Sequence, residues 1–319
     1  MPSDMIADAP LPHAALERAQ LQSLSLRSNA AAGWRIASHF GAVLGLGLAI
    51  AWAGPLWGLP LVVLQGWLLA FLFMPLHEMA HKTAFASRRA NVVVGNVCGA
   101  AILLPYEYYT LFHWAHHRHT QDPARDPELL VTPPPSTATG LALWFAGYRQ
   151  VYFRARLMLR HALSGAVRLP WVPAGKQALV VREARWLTGL YALLLLGSVA
   201  AGSAALLWAW LLPLVIGQFF LRPYLLAEHT GCGHTGNAFE NTRTISTNPL
   251  VMWFSWNMPY HTEHHAYPSV PFHALPRLHA AVEGRLQHRG QGYARVAVQV
   301  WRWLRERQAA STESTSRRA

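Results

Sequence analysis

Two long stretches without a charged residue constrain the fold more than any other feature of the sequence. Residues 36–76 and 186–221 contain no Lys, Arg, Asp or Glu. A transmembrane helix needs about 20 apolar residues, so each stretch can hold two helices. Gly54-Pro55 and Gly202-Ser203 lie near the middle of the two stretches and favour turns there. The sequence therefore predicts two helical hairpins, with helices at residues 36–53, 57–76, 186–201 and 204–221.

The distribution of charge separates this chain from a nucleic-acid-binding protein. Its 319 residues are 52% hydrophobic and 13% charged, and the net charge is +12. A strongly basic chain can bind nucleic acid, but every Lys and Arg here lies outside the two apolar stretches. Two buried hairpins in a soluble bundle would be the alternative, and uncharged runs of this length suit it poorly. We therefore predict an integral membrane protein with no nucleic-acid partner.

The positions of the basic residues also predict the orientation in the membrane. The segments before, between and after the two stretches carry 3, 13 and 11 Lys or Arg residues, and the predicted turns carry none. By the positive-inside rule, both chain ends and the central segment should be cytoplasmic. We predict a bacterial inner-membrane protein with four transmembrane helices. Arg185 and Arg222, at the ends of the second stretch, should extend toward the membrane interface.

Histidines cluster in three short segments at helical spacing. The segment HWAHHRHT places His113, His116 and His117 at i, i+3 and i+4, on one face of a helix. The segment HTEHH repeats this spacing, and HEMAH contains a pair at i and i+4. The candidate metal ligands in those two segments are His77, His81, His261, His264 and His265. Since zinc takes about four ligands, this number of imidazoles predicts two metal ions, all on the cytoplasmic face.

The composition of the clusters narrows the chemistry. Imidazole suits iron, zinc, copper and nickel, and the two cysteines, Cys98 and Cys232, predict neither a disulfide framework nor an iron–sulfur cluster. Zinc has no redox chemistry and could only activate water. Two iron ions can reduce O2 to an oxidant that takes hydrogen from an unactivated C–H bond, and lipids in a membrane offer such bonds. We therefore predict two iron ions as the cofactor.

Together the three segments resemble the integral-membrane fatty acid desaturase family. HEMAH, HWAHHRHT with the following DPARDPE, and HTEHH followed by Ala-Tyr-Pro match its HxxxH, HxxHHxxT and HxxHH boxes, within residues 70–280. The resemblance implies an all-α fold, in which a membrane bundle of four transmembrane helices carries a cytosolic, histidine-rich di-iron cap. It implies that the eight box histidines are iron ligands and that O2 and a lipid acyl chain are substrates. It also implies an external electron donor, of the ferredoxin or cytochrome b5 type, with its reductase.

The resemblance implies a ninth ligand as well. Family members often carry a further histidine after the fourth transmembrane helix, and His229 occupies that place. The alternative for His229 is a helix-end histidine that interacts with the negative end of the helix dipole. In some acyl-CoA members an Asn four residues earlier takes part in the metal site, whereas this chain has Leu225 there. Asn257, four residues before His261, is a nearby amide that could substitute.

Carboxylates near the clusters are candidates for orienting the ligands, because a ligating histidine usually donates its second N–H to a carboxylate or carbonyl. The candidates are Asp122, Asp126, Glu128 and Glu263, and each could instead be a solvated charge or a helix cap. His119 lies off the face of its cluster, as a second layer around the site or an exposed residue. The histidines without cluster spacing are interpreted as structural: His13, His39, His161, His234, His273, His279 and His288.

The predicted function is desaturation of a fatty acyl chain or related lipid. Hydroxylases and carotenoid ketolases of the same superfamily share the first hydrogen abstraction, so these reactions are the main alternative. HEMAH also fits the H-E-x-x-H signature of an intramembrane zinc protease, with Glu78 as general base, but that reading leaves most of the clustered histidines unused. A metal transporter would need polar residues within its spanning helices, and the two apolar stretches contain few.

The chain is predicted to comprise three parts. Residues 1–33 form an N-terminal cytosolic segment, 34–308 the membrane domain and 309–319 a disordered tail. The N-terminal segment does not resemble a cleaved signal peptide, because it contains Asp4 and Asp8 and no early apolar run. A basic helix is expected from about residue 278 to 307, just before the tail.

Overall fold

The computed structural model describes residues 16–53 and 55–316, which are mostly helical. A short helix, α1 (Arg18–Leu24), precedes a hairpin of α2 (Asn29–Trp52) and α3 (Pro55–Phe71). Ser28 caps α2, because its side chain accepts a hydrogen bond from the N–H of Ala31. The first predicted hairpin is thus present, although α2 begins at Asn29 rather than at residue 36. Gly54, in the predicted turn, and residues 1–15 and 317–319 lie outside the described residues.

The chain continues from α3 into the part that carries the first histidines. α4 (Phe73–His81) follows α3 after one residue, and all of its side chains are buried. α5 (Arg88–Ala101) and α6 (Tyr106–His119) follow, and their axes are bent by 100° relative to each other. Residues 91–104 are apolar but too few to span a membrane alone, and most of them lie in α5, which packs beside α4 and α6.

Three further helices lead from α6 toward the second hairpin. They are α7 (Pro127–Val131), α8 (Ala138–Ala146) and α9 (Tyr148–Ser164). Gly147 joins α8 to α9 with φ +67°, a left-handed conformation that glycine adopts without a steric penalty. α9 packs along α10 (Ala174–Ala200), the first helix of the second hairpin.

The second hairpin returns through a broken helix. After α10 come a π-helical turn (Leu207–Leu211), α11 (Leu212–Ile216) and α12 (Gln218–His229). α11 packs closely on α3, where a Cβ atom on Gly66 would lie 2.7 Å from the carbonyl oxygen of Pro213. Small residues at such contacts let membrane helices approach each other. The two hairpins are therefore joined directly.

Three helical stretches of the described chain are long and apolar enough to cross a membrane. They are Asn29–Trp52, Gly58–His81 and Leu207–His229, and the bent pair α5–α6 would make a fourth if it is one span. They match three of the four predicted helices and support an integral membrane protein. The helix predicted at 186–201 is not among them, because it is the apolar end of α10, whose first half carries charged residues. The count of four stays a prediction.

The C-terminal part wraps around the ends of these helices. Its elements in order are α13 (Ala238–Asn241), β1 (Thr244–Ser246), α14 (Pro249–Phe254), α15 (His261–Ala266), α16 (Leu275–Val282), β2 (Arg289–Gln291) and α17 (Tyr293–Ser316). Two 3-10 turns, Phe272–Ala274 and Glu283–Arg285, lie before and after α16.

A small sheet in this part departs from the all-α prediction. β1 and β2 pair in parallel, with Ile245 opposite Gly290. Strands of three residues are too short to display the alternating pattern by which a strand is predicted. The same pairing corrects the single helix predicted for residues 278–307, because β2 separates α16 from α17 and glycines at 290 and 292 disfavour helix. α17 continues through residues 309–316, the first part of the predicted tail.

Candidate metal centre

The three histidine segments and His229 converge at one end of the helices. HEMAH forms the end of α4, HWAHHRH the end of α6, and HTEHH the whole of α15 apart from its last residue. His229 is the last residue of α12. Each segment is helical, as its histidine spacing predicts, and buried apolar residues of α4, α6 and α12 belong to one core.

Five of the histidines form a first group. They are His77, His81, His113, His117 and His264, and each offers one ring nitrogen within 4.8 Å of the others. The Nε2 atom of His113 lies 2.7 Å from that of His81 and 3.0 Å from that of His117. The group therefore combines both residues of the first box with residues from each of the other two.

A second group forms beside the first. His116, His229 and His265 each offer a ring nitrogen within 4.8 Å of the others. The Nε2 atom of His229 lies 3.2 Å from that of His116 and 3.2 Å from that of His261. His261 therefore extends this group to four imidazoles. Residues adjacent on α6, His116 and His117, belong to different groups.

The donor atoms fit metal cations. Both ring nitrogens of His77 and His264, and Nε2 of His265, are buried without a hydrogen-bond partner, and buried polar atoms ordinarily have one. Burial lowers the pKa of His264 and His265 well below the usual histidine value, so these imidazoles are neutral and can donate lone pairs. Ring nitrogens 2.7–3.2 Å apart can share a proton in a hydrogen bond or, when both are unprotonated, direct their lone pairs to one cation. The cluster can therefore bind metal, and all-imidazole sites suit iron.

A carboxylate orients His116. The Nδ1–H of His116 donates to Asp126 Oδ1 at 2.9 Å, and Glu128 Oε2 lies 3.4 Å from the same nitrogen. Asp126 is fully buried and also accepts from the backbone N–H of Gln121. Burial raises the pKa of Asp126, but the attraction of His116 and these hydrogen bonds outweigh it and lower the pKa below its ordinary value. Two of the predicted carboxylates thus contact a histidine of the cluster.

His229 and two other histidines are oriented by groups that the sequence did not single out. The Nδ1–H of His229 donates to the carbonyl oxygen of Asn241 at 3.1 Å, which turns Nε2 toward the second group. His265 Nδ1 lies 3.3 Å from Thr120 Oγ1. His261 Nδ1 lies 3.5 Å from a carboxylate oxygen of Glu228, which directly precedes His229 in the sequence. The position of Glu228 next to His229 is the sequence feature that could have identified it as a residue of the site.

Two of the other acidic candidates serve the surrounding structure. Asp122 pairs with Arg125 at 2.7 Å on the surface. Glu263 is buried and accepts from Thr244 Oγ1 at 2.5 Å, and it also contacts His279. Glu263 lies between two histidines of the third box in α15. Its carboxylate therefore links His279, a histidine interpreted as structural, to that helix.

Glu78 holds a loop. Its carboxylate accepts from Thr83 Oγ1 at 2.6 Å and from the N–H of Phe272 at 3.2 Å. Both bonds are to Oε1 of the buried carboxylate and direct it to the chain beyond α4. This arrangement disfavours Glu78 as the general base of an H-E-x-x-H zinc protease.

The remaining sequence candidates lie around the cluster. The Asn257 amide donates to the carbonyl oxygen of Phe272 at 3.0 Å, so its N–H group is engaged outside the two groups. Leu225 lines a cavity that reaches the cluster. His234 Nδ1 lies 2.9 Å from the carbonyl oxygen of Gln121, which supports its structural interpretation. His119 is partly exposed and belongs to neither group of the described residues.

A buried carboxylate far away in sequence fixes the N-terminus of α6. Glu183 on α10 accepts from the backbone N–H of Glu107 at 3.0 Å and of Tyr108 at 3.3 Å. The first N–H groups of a helix lack partners within the helix, so this side chain acts as a cap. No local pattern marks Glu183, because its partners lie about 75 residues away.

A largely apolar cavity opens onto both groups. Its walls come mainly from α6, α9 and α12, and it reaches His77, His113, His116 and His261. Aromatic side chains, among them Tyr109 and Phe112, line it between the histidines and α9. Such a cavity can hold a hydrocarbon chain and exclude water.

Comparisons with known proteins agree with this arrangement. A sphingolipid delta(4)-desaturase of Drosophila melanogaster is 29% identical over 219 residues, covering 65% of this chain and 60% of that protein. A zeaxanthin 4-ketolase of Chlamydomonas reinhardtii is 27% identical over 219 residues, covering 67% and 42%. A dihydrorhizobitoxine desaturase of Bradyrhizobium elkanii is 30% identical over 251 residues, covering 70% and 65%. This chain thus spans between 42% and 65% of these relatives' own lengths.

The family comparison covers most of the chain. The profile of the family described as "Fatty acid desaturase" matches residues 60–297, which is more than half of the sequence and contains all three histidine segments and His229. The resemblance inferred from the boxes is therefore confirmed. With its apolar helices and its histidine cluster, the chain belongs to the fatty acid desaturase family.

Proposed function

We propose that this protein is a di-iron, O2-dependent membrane enzyme that introduces a double bond into an acyl chain or a related lipid. The observation that carries the proposal is the pair of histidine groups at the end of an apolar cavity. Five imidazoles would hold one iron ion, and His116, His229, His261 and His265 the other. All nine histidines are ligands in this proposal, including His229.

The chain's own residues have distinct tasks in this reaction. The iron ions, when bound, supply the oxidising power that breaks an unactivated C–H bond. Asp126 and the carbonyl of Asn241 hold the rings of His116 and His229 at fixed orientations. Tyr109 and Phe112 line the cavity, exclude water and hold the hydrocarbon beside the histidines. Leu225 contributes a further apolar surface where some relatives carry an amide.

Metal content and lipid products test the proposal together. The purified protein should hold two iron ions per chain, and its turnover should require O2 and a reductant. Expression in a host of known lipid composition, followed by mass spectrometry, should reveal a product two mass units lighter than its precursor. A protein that is fully active with zinc alone would refute the proposal and favour hydrolytic chemistry.

A second candidate reaction is oxygen insertion, as in a hydroxylase or ketolase. The similarity to a zeaxanthin 4-ketolase, at 27% identity, favours it. The same mass spectra discriminate between the reactions. Products of hydroxylation gain one oxygen atom, products of ketolation gain an oxygen and lose two hydrogens, and 18O2 labels both.

We further propose that the histidine cluster is a cytosolic cap on four transmembrane helices in a bacterial inner membrane. The segregation of Lys and Arg supports this orientation. In this proposal α10 crosses the membrane and Gly202 lies in an outside turn. Reporter fusions at Gly202 should read as periplasmic and fusions at either terminus as cytoplasmic. A cytoplasmic reading at Gly202 would mean that α10 does not cross.

Electrons would come from a separate acidic carrier of the ferredoxin or cytochrome b5 type, with its reductase. The segments outside the apolar stretches carry all of the positive charge, which suits electrostatic association with such a carrier. We also retain residues 34–308 as the membrane domain, with 1–33 as a cytosolic segment and 309–319 as a tail. Truncation after residue 308 should leave the iron content unchanged.

A further inference from the structure

Two arginines line the same cavity as the histidines. Arg222 lies on α12 and Arg154 on α9, and both border the space that reaches His116 and His261. Arg222 is only 4% exposed. The sequence predicted that Arg222 would extend to the membrane interface, but the structure instead buries it beside the cavity.

The position of Arg222 makes its charge costly. It lies within Leu207–His229, a stretch apolar enough to span a membrane. It precedes His229 by two helical turns, so its backbone lies about 10 Å along α12 from that histidine, at about 1.5 Å per residue. Ionisable residues within membrane segments are rare and usually functional. This arginine is therefore expected to have a polar partner.

The described side chains make only weak polar contacts with Arg222. The Nη2 atom of Arg222 lies 3.5 Å from Gln218 Oε1, the limit of a hydrogen bond, and its Nε atom is buried without any acceptor. Its guanidinium carbon lies 5.1 Å from the ring centre of Trp144. No carboxylate of the described residues lies within ion-pairing distance of Arg222.

Arg154 is similarly unpaired. Within the described part of the chain it has neither a hydrogen bond nor an ion pair. Burial lowers its pKa to about 10, so the side chain remains protonated at neutral pH. Arg154 shares one face of α9 with Gln150, Leu157 and His161, all of which line the cavity. The other arginines of α9 are exposed to the surroundings: Arg149, Arg156 and Arg160.

The acidic residues in the cavity wall are directed to histidines. Glu128 lies 3.4 Å from His116, and Glu228 lies 3.5 Å from His261. Neither carboxylate lies within ion-pairing distance of Arg154 or Arg222, although the charge of Glu128 acts on Arg222 from farther away. The two guanidinium groups are left facing a space that also admits the substrate.

We propose that Arg154 and Arg222 bind an oxyanion of the substrate inside the cavity. A guanidinium group matches the geometry of a carboxylate or phosphate with paired hydrogen bonds. The substrate is then an amphiphile whose anionic end enters the cavity beside the histidines, and the reacting C–H bond lies a short distance from that end. This inference rests on the proposed function, since it assigns the substrate class of the same site.

Binding of matched amphiphiles tests the inference without requiring turnover. The probes are radiolabelled palmitate, hexadecyl phosphate and 1-hexadecanol, which share one chain and differ in the polar end. The full-length protein is reconstituted in phosphatidylcholine nanodiscs, and binding to empty nanodiscs is subtracted. Wild-type protein should bind at least one of the oxyanion probes about tenfold more tightly than the alcohol. The tighter of the two identifies carboxylate or phosphate.

Variants separate recognition from structure. Arg154→Gln and Arg222→Gln should each weaken oxyanion binding about tenfold and leave hexadecanol binding within roughly twofold. Arg222→Lys should restore part of the affinity, because it keeps the charge. Arg156→Gln, on the exposed side of α9, is the matched control and should behave like wild type. If Arg222→Gln fails to fold, Arg154→Gln carries the test, because that residue is only partly buried.

Two results would overturn the inference. One is equal affinity for the alcohol and both oxyanion probes in the wild type. The other is unchanged oxyanion binding in Arg154→Gln and Arg222→Gln, which would make the arginines structural. Failure of the proposed function would look different, because selective oxyanion binding would persist while no O2-dependent lipid product formed.

Discussion

Replacement of Asp126 by Asn tests how the second histidine group is held. Asp126 accepts from His116 Nδ1 at 2.9 Å, from the N–H of Gln121 at 2.8 Å and from the N–H of Glu128 at 2.9 Å. All three partners are donors, so an amide NH2 group in place of one carboxylate oxygen would face another donor. Asn retains the size of Asp and is an equally good cap for α7, and whichever way the amide turns, the negative charge beside His116 is lost.

The expected loss follows from the charge that is removed from the hydrogen bond to His116. A hydrogen bond to a charged group contributes roughly 1.5–3 kcal/mol. Partners that orient metal ligands typically account for about 10–100-fold in metal affinity or activity. Asp126→Asn should therefore bind one iron ion normally and the second about 10–100-fold more weakly.

Anaerobic titration of metal-free protein with Fe(II), in competition with a chelator, measures the two affinities. Asp122→Asn is the matched control, because Asp122 has the same side chain but pairs with Arg125 on the surface. Thermal unfolding of both variants shows whether the fold is retained. If Asp126→Asn binds its second ion within roughly twofold of Asp122→Asn, the role assigned to Asp126 is wrong.

Other predictions follow from neighbouring contacts. His229→Ala should lower the iron content toward one per chain and abolish turnover, whereas His234→Ala should change neither; two irons and most of the turnover in His229→Ala would remove His229 from the ligand set. Glu183→Ala should destabilise the protein by about 1–2 kcal/mol through loss of the α6 cap, with exposed Arg182→Ala as control, and equal melting temperatures would contradict the capping role. Turnover with a purified acidic carrier should fall as salt rises, and salt-independent rates would exclude electrostatic docking.

Acid stability offers a further check on Asp126. Its pKa is lowered in the folded protein, mainly by the neighbouring His116 and the hydrogen bonds that it accepts, so its contribution to stability is present at neutral pH and is lost in acid as the pH falls through the lowered pKa. Asp126→Asn should lack this part of the acid dependence. Unfolding measured by circular dichroism in acid should therefore show a flatter pH profile for Asp126→Asn than for the wild type.

Much of the site was predictable because its signals are local. The spacing of His113, His116 and His117 determines that they share a helix face, whatever surrounds that helix. The uncharged stretches likewise required helices that bury their backbone hydrogen bonds, and three of the four predicted helices match the apolar spans of the structure. The boxes were specific enough to indicate the family that the profile confirms.

Only the tertiary structure decided how the histidines are shared. His116 groups with His229 and His265, while His113 and His117 from the same helix group with His77 and His81. That division depends on where α4, α12 and α15 lie around α6, and packing between distant segments sets those positions. The cap from Glu183 and the carbonyl of Asn241 escaped the sequence for the same reason, because a contact between segments leaves no periodic pattern in either one.

The burial of Arg222 is another feature that the sequence pattern alone did not reveal. By sequence alone it stands at the end of an apolar stretch, where an arginine normally reaches the interface. In the structure α12 continues for two turns beyond that stretch, up to His229, and Arg222 is buried beside a cavity that α9 also lines. The sequence determined which residues are charged, apolar or metal-binding, because those are properties of side chains. The structure decided which of them face each other, because that depends on the packing energy of the whole chain.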